Sequence, residues 1–308
     1  MVNHRSAATE PTDPASPSGS SPSLPGDQYS WRAELHLHTT ASLDGFSTLD
    51  DVLAECRRKQ IGLVAITDHD AMGLSSEAAA RFAAAGIAAV PGCEMTTDRG
   101  AHLLGLFVDR PLTGASAKAI ADHVQCQGGL LGIPHPFKPE TGLLAVSSLD
   151  EPDTAEVVGR ADFIERLNGD WFDPAFDAAI EQIASRFALP LVAGSDAHKP
   201  WEIGRLITAL PPLSAPPTAA SLRATLRQTA PALLRLEGFV QRPPQARSRL
   251  RRLFSRLRWW PAYRAFIKAV PYAVKRAIRL HLYRRRYRAW QADPGPATYR
   301  PALERTAA

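Results

Sequence analysis

LVAITDHD, residues 63 to 70, begins as an unbroken apolar run and closes on two aspartates flanking a histidine. So short and apolar a run reads as a strand buried on both faces, as in parallel sheets covered by helices. Charge at the end of such a strand is costly to desolvate unless something compensates it. The stretch therefore predicts a covered α/β sheet with a polar site at a strand's carboxyl end, and it asks what holds Asp68, His69 and Asp70 there.

The flanking sequence repeats the rhythm from Trp31 to about Leu236. WRAELHLH precedes TLDDVLAECRRKQ, LVAITD precedes SSEAAARFAAAG, HLLGLFV precedes SAKAIADHVQCQGG, and ADFIERLNG precedes PAFDAAIEQIASRF. AAVPGCE, LLGIPHPF and PLVAGSDAH add further strands. Such alternation predicts a parallel α/β sheet or barrel, with no repeat of solenoid length. The division reads as a disordered Pro/Ser/Gly-rich leader over 1–29, a globular body over 30–237 and a basic tail over 238–308.

With 308 residues, 45% of them hydrophobic, the chain can bury one large or two modest cores. Its three cysteines, Cys56, Cys93 and Cys126, are scattered without CxxC spacing, so neither a disulfide framework nor a cysteine zinc site is indicated. No apolar stretch approaches the roughly 20 residues of a membrane span, and the start lacks a signal-peptide pattern. A cytoplasmic, reducing setting is expected.

The polar residues gather at strand ends. HLH, TDHD, Glu94 of PGCE, His102 of AHLLG, His135 of PHP and SDAH lie there, mostly at carboxyl ends, where α/β barrels and open sheets collect their sites. His36 and His38, two apart, point to one face of a strand, and Asp196 with His198 repeat the spacing. Each piece has a bland reading. The HxH pair alone suits a surface or hydrogen-bonded pair, Asp70 can cap a helix over about Leu74 to Ala85, His102 can be a core histidine, and Glu94 can pair with Arg99. Together, these histidines and carboxylates at successive strand ends point to a metal centre, and imidazole with carboxylate suits zinc, manganese or iron.

The ordered motifs HLHTTASLDG, ITDHD, PGCE, HLLGLF, IPHPF, IERLNG and AGSDAH resemble the PHP (polymerase and histidinol phosphatase) domain of metal-dependent phosphoesterases, over about residues 31 to 236. The resemblance implies a distorted (β/α)7 barrel, here with a basic helical C-terminal extension, holding two or three divalent ions (Mn, Zn or Fe). Carried over motif by motif, the implied ligands are His36, His38, Asp44, His69, Glu94, His102, His135, Asp196 and His198. Asp68 and Asp70 would then orient His69 or a neighbouring imidazole, and Glu94 is the natural bridge between ions. Some relatives carry a long helical insertion before the PHP-like histidine; here 32 residues separate His102 from His135, which resembles the short form.

The chemistry so implied is hydrolysis of a phosphate ester, either a small phosphomonoester or a nucleotide or oligonucleotide. A hydroxide bridging the ions would be the nucleophile, since metal binding lowers the pKa of water to about 7 from 15.7. Asp196 can orient that water or accept its proton. Lys138, Arg99 and Arg205 can contact phosphate or be solvated surface charge, and Asn168 can touch substrate or cap the next turn. Two rivals stay open: a metal-dependent C–N hydrolase on a related barrel, which shares HxH and a late Asp, and a metal-stabilised scaffold whose tail performs the function.

The tail carries 16 Lys and Arg between Arg242 and Arg288 and no acidic residue from Gly238 to Ala292, which leaves 20 basic against 31 acidic residues elsewhere. RSRLRRLFSRLRWW puts Leu250, Leu253, Phe254 and Leu257 on one helical face, opposite arginines. Residues 242–292 can pack on the body, adsorb to an anionic membrane, peripherally at its inner surface, or bind nucleic acid.

Overall fold

The computed structural model describes residues 31–211, 213, 216–228, 231–239 and 272–302. The leader and the RSRLRRLFSRLRWW stretch lie outside them. In chain order the elements are β1 (Trp31–Glu34), α1 (Leu49–Lys59), β2 (Leu63–Ile66), α2 (Ser76–Ala84), β3 (Ala88–Thr96), β4 (His102–Leu106), α3 (Ala117–Cys126), β5 (Leu130–Ile133), α4 (Leu143–Val146), α5 (Pro152–Arg160), β6 (Phe163–Asn168), α6 (Asp177–Phe187), β7 (Leu191–Gly194), β8 (Leu206–Leu210), α7 (Ala219–Gln228), β9 (Ala232–Leu236), α8 (Tyr272–Ala292) and β10 (Tyr299–Pro301).

Ten strands form one curled mixed sheet in the order β10-β9-β8-β1-β2-β3-β4-β5-β6-β7. The expectation of a parallel sheet needs correction at three places. β4 runs antiparallel to both β3 and β5, β8 runs antiparallel to β1, and β9 runs antiparallel to β8. Only residues 97–101 connect β3 to β4, and a parallel crossover needs a dozen or more. The reversal has a functional result: Thr96, the last residue of β3, pairs with His102, the first of β4. His102 therefore stands at the same mouth as the carboxyl ends of the parallel strands.

Backbone hydrogen bonds bring the two ends of the curl together at that mouth. His38 N donates to Ala197 O and Asp196 N donates to His36 O, each at 2.8 Å, beside a parallel bridge between Leu37 and Ala197. Lower down, Thr208 of β8 stands between β1 and β7, its hydroxyl bonding both Ala193 N and Ala193 O at 2.9 Å. Aliphatic residues fill the interior, among them Leu35, Leu63, Leu104 and Leu210. Phe163 joins them because Gly132 faces it, where a Cβ would sit 2.3 Å from the ring.

Capping sets the helix starts. Thr48 and Asp51 form a reciprocal capping box on α1. Ser75, not Asp70, caps α2, since its hydroxyl accepts from Ala78 N.

The last described elements return to the sheet. β10 pairs antiparallel with β9, and Tyr299 donates its hydroxyl to Gly204 O at 2.8 Å. α8 lies against α1 and the turn at Pro200–Glu202: Tyr287 bonds Asp51 Oδ1 at 2.9 Å, and Tyr283 packs edge-on to Phe46 at 5.5 Å. Its aliphatic residues Val274, Ile278 and Leu282 are instead exposed. Among the described residues no helix is long and apolar enough to cross a membrane.

Candidate metal centre

Glu94 is the hub of the site. Fully buried on β3, it places Oε1 2.9 Å from both His102 Nδ1 and His135 Nε2. Its Oε2 lies 3.1 Å from His69 Nδ1 and 3.3 Å from His36 Nε2 and His38 Nε2. The imidazoles follow β1, β2 and β5 or open β4, so their convergence follows from the sheet order and the reversal of β4.

A second group surrounds Asp196 after β7. Its Oδ1 is 3.1 Å from His38 Nε2 and 3.5 Å from His36 Nε2, while Lys138 Nζ donates to Oδ2 at 3.2 Å and to Asp170 at 2.9 Å. His198 Nε2 lies 3.4 Å from Asp44 Oδ2, and His69 Nε2 lies 3.8 Å from the same oxygen. Three overlapping sets of donor atoms result: His36, His38, Glu94 and Asp196; His38, His69 and His198; and His69, Glu94 and His102. Asp44 and His135 flank them, so all nine residues singled out from the sequence meet at one mouth.

The donors suit divalent cations. His36 Nε2 and His38 Nε2 face each other at 3.3 Å, where two ring nitrogens can share at most one proton and a cation satisfies both lone pairs. Among the described residues, Glu94 Oε2, Asp44 Oδ1 and His135 Nδ1 are buried without a hydrogen bond. Imidazole mixed with carboxylate matches zinc, manganese or iron.

Electrostatics point the same way. Burial pushes the Glu94 and Asp196 carboxyls up, but the histidines around Glu94, and Lys138 with His36 at Asp196, outweigh it and hold both well below the usual range. Burial pulls His38 down, yet Asp196 and Glu94 raise it to about 9; His69 is carried to about 4, chiefly by burial. Lys138 is raised despite its burial by Asp196 and Asp170, so it stays an ammonium. The mouth holds its carboxylates ionised and favours cations.

The surrounding shell answers what fixes TDHD. Asp68 accepts from Thr39 N, Thr39 Oγ1, Ser42 N and Ser42 Oγ at 2.6–2.9 Å, which ties down the loop after β1. Ser42 Oγ in turn lies 3.1 Å from His38 Nδ1 and accepts from His69 N, so Asp68 acts on His38 through a hydroxyl. Asp70 bonds Thr96 N and Oγ1 instead, fastening the end of β3.

Sequence reading missed Glu165. Its Oε1 lies 3.0 Å from His36 Nδ1, and its Oε2 accepts from His135 N and Asn168 Nδ2. A buried acid inside the strand FIERLN was its signal. His135 and Asp196 adopt left-handed φ of 28° and 47°, costing about 1–3 kcal/mol each, and a backbone N–H bond holds each in place.

Arg99 is not brought to the site. Its guanidinium bonds Glu151 at 2.7 Å on the exposed surface, so it neither pairs with Glu94 nor reaches the mouth. Arg205 pairs with Glu202 and lies over the Phe239 ring. Asn168 caps the next turn, accepting from Asp170 N and Trp171 N.

A family model described as PHP domain matches residues 34–128, and one described as PHP-associated matches residues 178–230. An uncharacterised protein of Methanocaldococcus jannaschii is 30% identical over 119 residues, which cover 35% of this chain and 69% of that protein. This chain belongs to the PHP domain family. Among solved structures, a two-domain protein of Bacteroides vulgatus, described as containing a predicted PHP-like metal-dependent phosphoesterase, aligns with a TM-score of 0.55 and 18% identity over 67% of this chain and 65% of that one. Endonuclease Q, solved with a 27-mer duplex bearing an abasic lesion at its active site, aligns with a TM-score of 0.50 and 18% identity over 65% of this chain and 57% of that one. The chain thus spans less than two thirds of either structure, and at this identity the likeness concerns the fold. Within the PHP-domain match lie His36, His38, His69, Glu94 and His102 of the donor cluster.

Proposed function

We propose that this PHP protein hydrolyses a phosphate ester, a small phosphomonoester or a nucleotide, at the Glu94 centre, on a curled sheet that corresponds to a distorted seven-stranded barrel with β8 to β10 appended. The observation that carries the reading is Glu94 itself: one buried carboxylate whose two oxygens each face two or more imidazoles, as a bridging ligand requires. Two or three divalent ions (Mn, Zn or Fe) bound by His36, His38, Asp44, His69, Glu94, His102, His135, Asp196 and His198 would supply Lewis acidity toward phosphoryl oxygens and lower the pKa of bound water to about 7.

The chain's own groups do the rest. Asp196, ionised and bonded by Lys138, is placed to orient the attacking water and take its proton. Lys138 offers a fixed positive charge to a phosphate and keeps Asp196 from protonating prematurely. Glu165 and Ser42 hold His36 and His38 in the required ring orientation.

The test is a metal assay followed by a substrate panel. Protein expressed in Mn-, Zn- and Fe-supplemented medium should contain about two to three equivalents of metal and release phosphate, not ammonia, from a mixed panel. Glu94→Gln and His198→Ala should each abolish phosphate release with circular dichroism unchanged. Metal below half an equivalent, ammonia release, or full activity in a folded variant would overturn the proposal.

A further inference from the structure

Outside the metal centre, the described residues form a cleft of about 490 Å³ between the loop over residues 40–48, the Pro200–Trp201 turn and α8. That volume falls within the range of small-molecule sites, roughly 300–1,000 Å³. Phe46, Trp201, Tyr283 and Tyr287 line it beside His281, with Arg284 exposed at its edge. Tyr283 stands 5.5 Å from Phe46 and 6.0 Å from Trp201, centroid to centroid. Trp201 Nε1 is buried and has no hydrogen-bond partner among the described residues.

Two walls of this cleft adjoin the metal centre along the chain. Phe46 lies two residues after Asp44, and its N–H donates to His198 O at 2.8 Å. Trp201 lies three residues after His198, on the same turn. A phosphate held at the mouth therefore has this cleft as the neighbouring space for its organic group. Flat rings set among flat rings, with a cation at the edge, suit a planar ring on an anionic ligand.

We infer that the cleft between the Asp44 loop and α8 is a subsite for the planar aromatic part of the phosphate ester, such as a nucleobase, and that Trp201, Tyr283 and Arg284 determine specificity. The inference rests on the proposed phosphoesterase reading for the position of the phosphate. It makes α8 part of the substrate site, although the PHP-domain match ends well before it. α8 is held in place for that role: Tyr287 bonds Asp51, Arg286 lies 4.9 Å over the Trp201 ring, and Lys199 lies 5.4 Å over Tyr283.

The experiment compares adenosine 5′-monophosphate with ribose 5-phosphate, which share phosphate and sugar and differ in the ring, on the metal-loaded full chain. Wild type should favour the ring-bearing ester by about tenfold or more in kcat/KM, mostly through KM, as expected for stacking. Tyr283→Ala and Trp201→Ala should each reduce that ratio to below about threefold. Tyr283→Leu, which keeps bulk while removing the ring, should do the same and decides the matter if the alanine variant fails to fold. Equal kcat/KM for the two esters in wild type, or an undiminished ratio in the folded variants, would overturn the inference. If wild type hydrolyses neither ester, the phosphoesterase reading falls by itself, and calorimetric titration of metal-free protein with adenosine decides the subsite: saturable binding weakened about tenfold by Tyr283→Leu supports it, and no saturable heat overturns it.

Discussion

Glu165 shows how one buried carboxylate fixes the geometry of two histidines without joining the donor sets. One oxygen orients the His36 ring and the other holds the strained His135 backbone, so the group is needed as an acceptor on both sides. Glu165→Gln keeps the shape but puts an amide where both partners want a carboxylate. Metal affinity or activity is expected to fall about 10–100-fold, the usual loss for a residue that orients a ligand, while thermal unfolding of metal-free protein shifts little; unchanged affinity would refute the role. Gly194 protects the arrangement, since a Cβ there would sit 2.3 Å from Glu165 Oε1. Eight of the nine converging residues were legible because they sit at or near strand ends in a readable order, and Asp44, on the turn after β1, was supplied by the resemblance alone. Glu165 and Ser42 were not legible, because an interior acid or a loop hydroxyl carries no periodic signal. Arg99 misled for a related reason: lying between Glu94 and His102 in sequence gives its position along the chain and not the direction of a long side chain, which Glu151 captures at the surface.

At the scale of elements, the alternation of apolar runs and helices was readable but strand direction was not. Hydrophobic period is blind to polarity; the five-residue link between β3 and β4 was the clue that a hairpin replaces a crossover there. Had β4 been parallel, His102 would open it at the far end of the sheet. The loop after β1 depends on a helix start as well. Thr48 caps α1 just beyond Ser47, whose backbone bridges Thr39, so the cap anchors the loop that carries Asp44. Thr48→Ala is expected to cost about 0.5–2 kcal/mol in chemical denaturation and to weaken metal binding at Asp44. A loss below about 0.3 kcal/mol with unaltered metal affinity would show that the cap and the site are independent.

For the whole molecule, the chain after Gly238 is tied to the body by strand pairing. Read from sequence, truncation after Glu237 removes a separable tail; in the structure it strips β10 from β9, removes Tyr299 from Gly204 and releases α8 from Trp201. The truncated chain is therefore expected to melt roughly 5–10 °C lower, as the loss of a few kcal/mol implies. An unchanged melting temperature would restore the separable view. Exposed Val274, Ile278 and Leu282 recur every four residues along this arginine-rich helix. They motivate a second measurement: the full chain should sediment with vesicles containing anionic lipid, less so as salt rises. Failure to sediment at low salt would remove the membrane reading and leave the basic charge to substrate or nucleic acid.

The seam at the mouth also dictates when the site can come into being. His38 and Asp196, 158 residues apart in sequence, meet only where the two ends of the curl are joined. A chain emerging from the ribosome at about 5–20 residues per second presents HLH many seconds before SDAH exists. Until then the first histidines have neither their carboxylate nor their backbone partners. Assembly of the full donor set is thus a late event, and contacts so distant in sequence make ring closure a slow step of folding.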